Sequence, residues 1–151
     1  SNELTNLGVI YTDFEDILKK SDIISLHCPL NEKTKYIIND QTLSLMKDGA
    51  MLINTSRGGL IDTKAVISAL KHRKLHSLGI DVYEQEENLF FRDLSDQVIE
   101  DDMITRLMSF QNVLITAHQG FFTHEALTQI AQTTLGNINS FYQGKEILNC
   151  L

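Results

Sequence analysis

The sequence predicts an α/β fold in which strands and helices alternate and the strands form a mostly parallel, doubly wound sheet. Two observations support this prediction. Short apolar runs, such as those at 50–53 and 113–116, are typical of strands buried in a parallel sheet. Helical segments fall between these runs, and no internal repeat or low-complexity stretch interrupts the alternation. Strands that alternate with helices form parallel sheets with right-handed crossovers.

Each element has its own local signal along the chain. Apolar runs predict strands at 8–11, 22–26, 50–53, 77–82 and 113–116. Apolar spacing and end signals predict helices at 13–19, 41–46, 63–70, 104–108 and 123–142. The last helix has apolar residues three and four positions apart, which form one face: Ala126, Leu127, Ile130, Ala131, Leu135 and Ile138.

Several of these helices have recognisable end signals. Thr12 and Glu15 have the spacing of a capping box for the first helix. Asn39 and Asp62 are the predicted N-caps of the next two helices, and Gly49 is expected to close the shorter one. A long acidic stretch at 83–102 follows the fourth strand and is expected to cover part of a ligand site.

Composition excludes several classes of protein. The 151 residues suit one domain, and a hydrophobic content of 42% suffices for a buried core. A formal net charge of −7 argues against a nucleic-acid surface. The one basic cluster, at 71–74, lies at a helix C-terminus, where it complements the helix dipole. No apolar run approaches the roughly 20 residues that span a bilayer and no signal peptide is visible, so we expect no membrane partner and a cytoplasmic protein.

Cysteine and histidine spacing predicts no metal. Cys28 ends an apolar strand and Cys150 lies at the chain end, a spacing that indicates neither a disulfide framework nor a zinc site. Four histidines are interpreted as structural or solvated: His27, His72, His76 and His124.

The stretch from Asn54 to Asp62 is the most informative part of the chain. It follows the strand at 50–53, turns at Gly58-Gly59 and leads into a helix, so Arg57 projects from the carboxyl end of a strand. Open α/β sheets bind their ligands at that edge. A guanidinium presents paired donors in one plane, which suits a carboxylate or keto acid. The alternative is a surface arginine in a loop salt bridge, and position alone does not separate the two.

Two further strands end in candidate groups. Asp81 lies at the end of the strand at 77–82 and Glu86 follows it, and His118 follows the strand at 113–116. Histidine is the usual proton donor or acceptor near neutral pH, and a carboxylate bonded to its second nitrogen fixes the tautomer. Taken singly, each of these residues is more often structural. Together with Arg57 they form a coherent catalytic set.

Four segments in order carry a resemblance to a known family. They read DIISLHCPL at 22–30, MKDGAMLINTSRGGLID at 46–62 and GIDVYEQE at 79–86, and end with His118. The sequence resembles the NAD-dependent D-2-hydroxyacid dehydrogenase family over nearly its whole length. Residues 88–93, 98–102 and 118–121 resemble the D-lactate dehydrogenase branch, although Gly120 stands where the family often has alanine.

The resemblance implies a domain organisation. Residues 1–118 would form the C-terminal part of a Rossmann-like, dinucleotide-binding domain, and residues 119–151 a long helix and tail leading toward a substrate domain. No G-x-G-x-x-G occurs in the sequence, nor the acidic residue that follows it on the ribose. We therefore expect the chain to be a fragment that starts after the first βαβ unit and is inactive alone.

The resemblance also implies roles for individual residues. Arg57 would hold the substrate carboxylate, His118 would donate a proton to the carbonyl oxygen, and Glu86 would keep His118 protonated. Asp81 would tune the site, and Phe121 would form a wall of the substrate pocket. Positions that match cofactor contacts of the family, with NAD as cofactor, are Cys28, Pro29, Asn54, Thr55, Ser56 and Asp81.

The implied substrate is a small 2-keto or 2-hydroxy acid. The phenylalanines at 90–91 and Phe121 favour a lactate-like molecule over the glycerate, phosphoglycerate and formate of related enzymes. A homo-oligomer is the expected assembly. The alternative from another class is a non-catalytic, nucleotide-sensing interaction module.

Overall fold

A computed structural model of the protein describes residues 2–90 and 99–147. The chain divides into two compact units, 1–118 and 119–151. The first unit contains a four-stranded sheet with its helices, and the second contains one long helix.

The sheet is parallel throughout and its strands lie in chain order. The four strands are β1 (Ile23–Leu26), β2 (Ala50–Asn54), β3 (Leu75–Ile80) and β4 (Val113–Ile115). Leu52 of β2 lies between Ile24 of β1 and Leu78 of β3, and Leu78 lies beside Val113 of β4. The prediction of a parallel α/β sheet is therefore confirmed.

One predicted strand is wrong. Residues 9–11 have no regular structure, and Val9, Ile10 and Tyr11 are exposed. Gly8, with a φ of 89°, ends the short helix α1 (Asn2–Asn6) just before this segment. An apolar run forms a strand only when a neighbouring strand pairs with it, and within the described residues none does.

Five further helices lie within the part of the chain that the structure describes. They are α2 (Phe14–Lys20), α3 (Asp40–Leu45), α4 (Thr63–Lys71), α5 (Asp102–Met108) and α6 (His124–Tyr142). Short 3-10 turns occupy Gly58–Leu60 and Glu86–Asn88. Among the described residues, none of the helices has both the length and the apolar character needed to cross a bilayer.

Two of the three predicted helix starts are confirmed. The Asn39 side chain accepts hydrogen bonds from the backbone of Gln41 and Thr42, and Asp62 accepts one from Ala65. The capping box at Thr12 is wrong, because the Thr12 hydroxyl donates to Asp16 instead.

The core lies between the sheet and the helices α2 to α5. In β2, Ala50, Leu52 and Asn54 are buried while Met51 and Ile53 are half-buried. The helices pack in chain order, with α3 between α2 and α4 and with α4 against β3 and α5. Burial of one set of alternating side chains places the hydrophobic core on that face of the sheet.

The second unit consists mainly of α6. Thr123 caps this helix by accepting from the backbone of Ala126, as its predicted boundary requires. None of its residues is buried, and its apolar face remains at least 39% exposed at Leu127, Ile130, Leu135 and Ile138.

Candidate active site

The carboxyl ends of the four parallel strands meet at one edge of the sheet. Residues 27–30 follow β1, 55–57 follow β2, 81–86 follow β3, and 116–118 follow β4. Sequence-predicted groups from four separate loops are therefore brought to one edge, which is where α/β sheets bind ligands.

Asn54 shapes the turn that presents Arg57. Its side chain is fully buried, donates to the Arg57 carbonyl at 2.9 Å and accepts from the Ser56 amide at 3.1 Å. The Ser56 hydroxyl donates to the Cys28 carbonyl at 2.7 Å, which joins this turn to the loop after β1. The buried Asn54 side chain therefore holds the turn, and a contact between Asn54 and a cofactor stays a prediction.

The loops after β1 and β2 enclose a cleft of about 620 Å³. It is lined by His27, Cys28, Pro29, Leu30, Ser56 and Arg57. Thr55 lies elsewhere, beside a second groove over the half-exposed face of the sheet. The cleft thus brings together Cys28, Pro29, Ser56 and Arg57 and leaves Thr55 apart.

The Arg57 side chain is exposed at this cleft. Its Nη1 donates to the Ser56 carbonyl at 2.7 Å. No ion pair involves Arg57 within residues 2–90 and 99–147. The remaining guanidinium N–H groups can therefore donate to the carboxylate of a ligand.

Glu86 and His118 form a hydrogen-bonded pair. Glu86 Oε1 lies 3.0 Å from His118 Nδ1, and Glu86 Oε2 accepts from the Tyr83 amide at 3.0 Å. The His118 side chain is 31% exposed and that of Glu86 is 16% exposed. The predicted contact between Glu86 and His118 is present, and Nδ1 is the imidazole nitrogen that bonds the carboxylate.

Asp81 joins the loop after β3 to the end of β2 and to the loop after β4. The residue is buried, its carboxylate accepts from the Thr116 hydroxyl, and its carbonyl accepts from the His118 amide. Its amide donates to the Asn54 carbonyl at 3.0 Å. Sequence reasoning missed Thr116, although aligning the ends of β3 and β4 would have placed it beside Asp81.

The backbone at the end of β4 adopts an unusual conformation. Ala117 and His118 have φ values of 54° and 55°, in the left-handed region. This region costs a residue with a side chain about 1 kcal/mol or more. Such strain is typical of functional sites, and here it sets the direction in which the imidazole leaves the strand.

The turn that presents Arg57 and the loop that carries Glu86 are in close contact. A side chain at Gly58 would overlap the backbone of Tyr83 and Glu84. Glu84 also accepts a hydrogen bond from the Tyr36 hydroxyl at 3.0 Å, and this bond raises the pKa of Tyr36 above its ordinary value. Sequence reasoning missed both contacts because they join segments far apart in the chain.

The predicted pocket residues beyond the sheet edge have a mixed outcome. Phe121 belongs to the second unit, is 48% exposed and lies edge-on to Phe122, so its role beside a substrate stays a prediction. Phe90 packs near Tyr83 with 6.3 Å between ring centroids. Residues 91–98, which include Phe91, lie outside the described residues. Within the described ranges, no three side chains of His, Cys, Asp or Glu are grouped to hold a metal ion.

The family match and the most similar curated proteins all describe 2-hydroxyacid dehydrogenases. Residues 1–120 match the family described as D-isomer specific 2-hydroxyacid dehydrogenase, NAD binding domain. The 2-hydroxyacid dehydrogenase A of Aspergillus oryzae is 52% identical over 93% of this chain and 41% of its own length. The D-lactate dehydrogenase of Escherichia coli is 50% identical over 95% of this chain and 44% of its own length.

Solved structures agree with these relatives. The D-lactate dehydrogenase of Aquifex aeolicus, complexed with NAD and lactic acid, has a TM-score of 0.85 and 38% identity, over 95% of this chain and 44% of that one. The pyruvate reductase of Chlamydomonas reinhardtii has a TM-score of 0.91 and 39% identity, over 99% of this chain and 46% of that one. The chain spans less than half the length of these relatives.

A parallel sheet with arginine, glutamate and histidine at its carboxyl edge defines the Rossmann-like, NAD-binding part of an oxidoreductase. The chain belongs to the D-isomer specific 2-hydroxyacid dehydrogenase family, and most of it matches the NAD-binding domain of that family. The predictions of the family, of the Rossmann-like fold and of NAD as cofactor are therefore confirmed.

Proposed function

We propose that the protein containing this chain reduces a small 2-keto acid, pyruvate above all, to the D-2-hydroxy acid with NADH. The observation that supports this proposal most is the Glu86–His118 pair, with 3.0 Å between Oε1 and Nδ1, at the same sheet edge as the exposed Arg57. Two relatives named D-lactate dehydrogenase, which are 52% and 50% identical to this chain, support the choice of substrate.

Arg57 binds the substrate in this proposal. Its fork of donors pairs with the carboxylate and polarises the adjacent carbonyl. Negative charge that develops on the carbonyl oxygen during reduction is stabilised by donors already in place. The turn held by Asn54 and Ser56 keeps the guanidinium in position, because both side chains bond to backbone within or beside the turn.

His118 is the proton donor. Since Glu86 bonds Nδ1, the imidazole faces the substrate through Nε2, and Nε2–H gives its proton to the carbonyl oxygen. Glu86 stabilises the protonated imidazole, and the Tyr83 amide holds Glu86 in place. Asp81 acts beside them by fixing the backbone of His118 through its own carbonyl.

The residues at the sheet edge fit the nicotinamide end of NAD. The cleft of about 620 Å³ offers the walls of Cys28 and Pro29 opposite Ser56, and the buried carboxylate of Asp81 lies in the loop after β3. When bound, NADH supplies a hydride to the carbonyl carbon.

The cytoplasmic location and the homo-oligomeric state remain predictions. Cell fractionation tests the location, and light scattering tests the oligomeric state.

A substrate comparison tests the proposed function. In the full-length protein that contains this chain, we expect kcat/KM with NADH to be at least about tenfold higher for pyruvate than for hydroxypyruvate or phosphohydroxypyruvate, a difference of roughly 1.4 kcal/mol. A higher kcat/KM for another keto acid, or for formate in the oxidative direction, would contradict the proposal of pyruvate as the substrate. Binding of NADH with no turnover of any of them would favour an interaction module.

A further inference from the structure

Tyr83 is a buried tyrosine whose hydroxyl lies away from the proposed chemistry. It is 3% exposed and follows the end of β3 by three residues. Its hydroxyl donates to the Asp101 carboxylate, with 3.0 and 2.9 Å to the two oxygens. A buried phenol with this partner ties the loop after β3 to the start of α5.

Asp101 is itself held by α5. Its side chain accepts from the backbone amides of Met103 and Ile104, at 2.9 and 3.0 Å, and so caps the helix. Ile104 and Leu107 anchor α5 in the core. The Tyr83 hydroxyl is therefore attached to a fixed element rather than to a loop.

The backbone of Tyr83 is in contact with both halves of the proposed site. Its amide donates to Glu86 Oε2 at 3.0 Å, while Glu86 Oε1 bonds His118. Its carbonyl region leaves no room for a side chain on Gly58, next to Arg57. Any shift of Tyr83 therefore moves Glu86 and the Arg57 turn relative to each other.

We propose that Tyr83 is a positioning residue, whose hydroxyl bond to Asp101 fixes its backbone so that Glu86 stays aligned on His118. This inference rests on the proposed function, in which His118 donates the proton. Tyr83 touches neither substrate nor cofactor in this account and acts through Glu86.

The state of the phenol agrees with this role. Burial, the bond to Asp101 and the charges of Asp101 and Glu84 all raise the pKa of Tyr83, burial most. The hydroxyl therefore stays a donor at every pH at which the enzyme would be assayed.

Replacement of Tyr83 by phenylalanine removes the bond and keeps the ring. In the full-length protein, Tyr83→Phe should lower kcat for pyruvate reduction about tenfold, because a small misplacement of the group that orients the proton donor slows the reaction. KM for NADH should change by less than about twofold, because neither Tyr83 nor Asp101 lines the cofactor cleft. The alkaline limb of the pH profile should move to lower pH. Tyr142→Phe, at a position 84% exposed, is the matched control and should leave all three unchanged.

A double mutant separates positioning from general destabilisation. In a Glu86→Gln background, Tyr83→Phe should cost less than about twofold in kcat, because the route through Glu86 is already broken. An equal loss in both backgrounds would mean that Tyr83 only supports the fold, and would overturn the inference.

Nitrogen NMR of His118 gives a readout that needs no activity. At a pH at which the imidazole is neutral, the protein should show the Nδ1–H tautomer, because Glu86 accepts at Nδ1. Tyr83→Phe should show a mixture of tautomers or a changed Nδ1 shift. An unchanged His118 spectrum in Tyr83→Phe overturns the inference even if pyruvate is reduced. Absence of turnover in the unmodified protein, with the spectral change present, overturns the proposed function and leaves the positioning by Tyr83 standing.

Discussion

At the scale of residues, each oxygen of the Glu86 carboxylate has a separate task. One oxygen accepts from the Tyr83 amide and the other bonds His118. The Tyr83 amide thus holds one oxygen of the Glu86 carboxylate in place, while the other oxygen contacts His118. A carboxylate held in this way can fix the orientation of the imidazole ring.

Glu86→Gln should move the alkaline limb of pyruvate reduction to lower pH. A neutral amide no longer stabilises the protonated form of His118, and reduction requires that form, so activity is lost earlier as pH rises. We expect kcat at neutral pH to fall about a hundredfold. Profiles of kcat/KM from pH 5 to 10 check this. Glu87→Gln, an exposed neighbour, is the control. A limb that stays in place or moves to higher pH would contradict the pairing.

Arg57→Lys should weaken substrate turnover far more than cofactor binding. Lysine keeps the charge but cannot present paired donors in one plane. We expect kcat/KM for pyruvate to fall by at least about tenfold, roughly 1.4 kcal/mol, with NADH affinity nearly unchanged. Steady-state kinetics and calorimetry check the two quantities. Arg106→Lys on α5 is the control. A near-normal kcat/KM for pyruvate in Arg57→Lys would show that Arg57 does not bind the substrate.

Residue type and position at strand ends allowed Arg57, Glu86 and His118 to be proposed from sequence. The roles of Asn54, Thr116 and Tyr83 could not be predicted in the same way. Asn54 was predicted as a cofactor contact, and the sequence did not indicate that its buried side chain also bonds within its own turn. Thr116 bonds Asp81, 35 residues away, and this pairing depends on the register of β3 and β4. Tyr83 bonds Asp101, 18 residues away, and this pairing depends on the path of the loop between them.

At the scale of elements, the loops after the strands are joined to one another. Ser56 bonds the loop after β1, Asp81 bonds the last residue of β2 and the loop after β4, and Tyr36 bonds Glu84. Helix starts at Asn39 and Asp62 were predictable because the capping residue and its helix are neighbours in sequence. The strand at 8–11 was not excluded by sequence because strand formation depends on a distant partner.

Gly58→Ala should separate the Arg57 turn from the loop of Glu86. The added carbon meets the backbone of Tyr83 and Glu84, which cannot move aside as a flexible side chain could. We expect the free energy of unfolding to fall by about 2 kcal/mol, as overpacking does in other cores. Denaturant titration measures it. Gly136→Ala, where a side chain meets no atom within 4 Å, should be neutral or slightly stabilising, and equal stability of the two variants would refute the contact.

At the scale of the molecule, the sheet ends at β1 on one side. Within the described residues β1 pairs only with β2, and its Ile23 is 59% exposed. An exposed strand edge with apolar side chains recruits other strands.

The isolated 151-residue polypeptide should therefore self-associate through β1. Light scattering across a dilution series should show a mass that falls on dilution, and hydrogen exchange at 23–26 should slow as association increases. Ile23→Lys should reduce the association, because a charge opposes edge pairing. Met108→Lys, at an exposed site on α5, should not. A monomer at all concentrations with fast exchange in β1 would contradict the prediction.

The same polypeptide should bind NADH weakly and reduce no pyruvate. Its sequence has no G-x-G-x-x-G turn, whose backbone amides hold the pyrophosphate at a helix N-terminus. The turn at 54–57 and Asp81 can contact only part of the cofactor. Calorimetric titration is the measurement, and micromolar affinity together with turnover would disprove the expectation.

The order of the strands sets a fixed interval inside the site. Neighbouring strands lie about 4.8 Å apart, and β3 alone separates β2 from β4, so the backbones that lead to Arg57 and His118 begin about 10 Å apart. This interval depends on the number of strands and not on the length of any loop. Insertions in these loops beyond Arg57 and His118 can therefore reshape the walls of the pocket, while the two groups proposed to bind the carboxylate and to donate the proton keep their separation. Selectivity for different keto acids can then diverge through the loops without rebuilding the reaction.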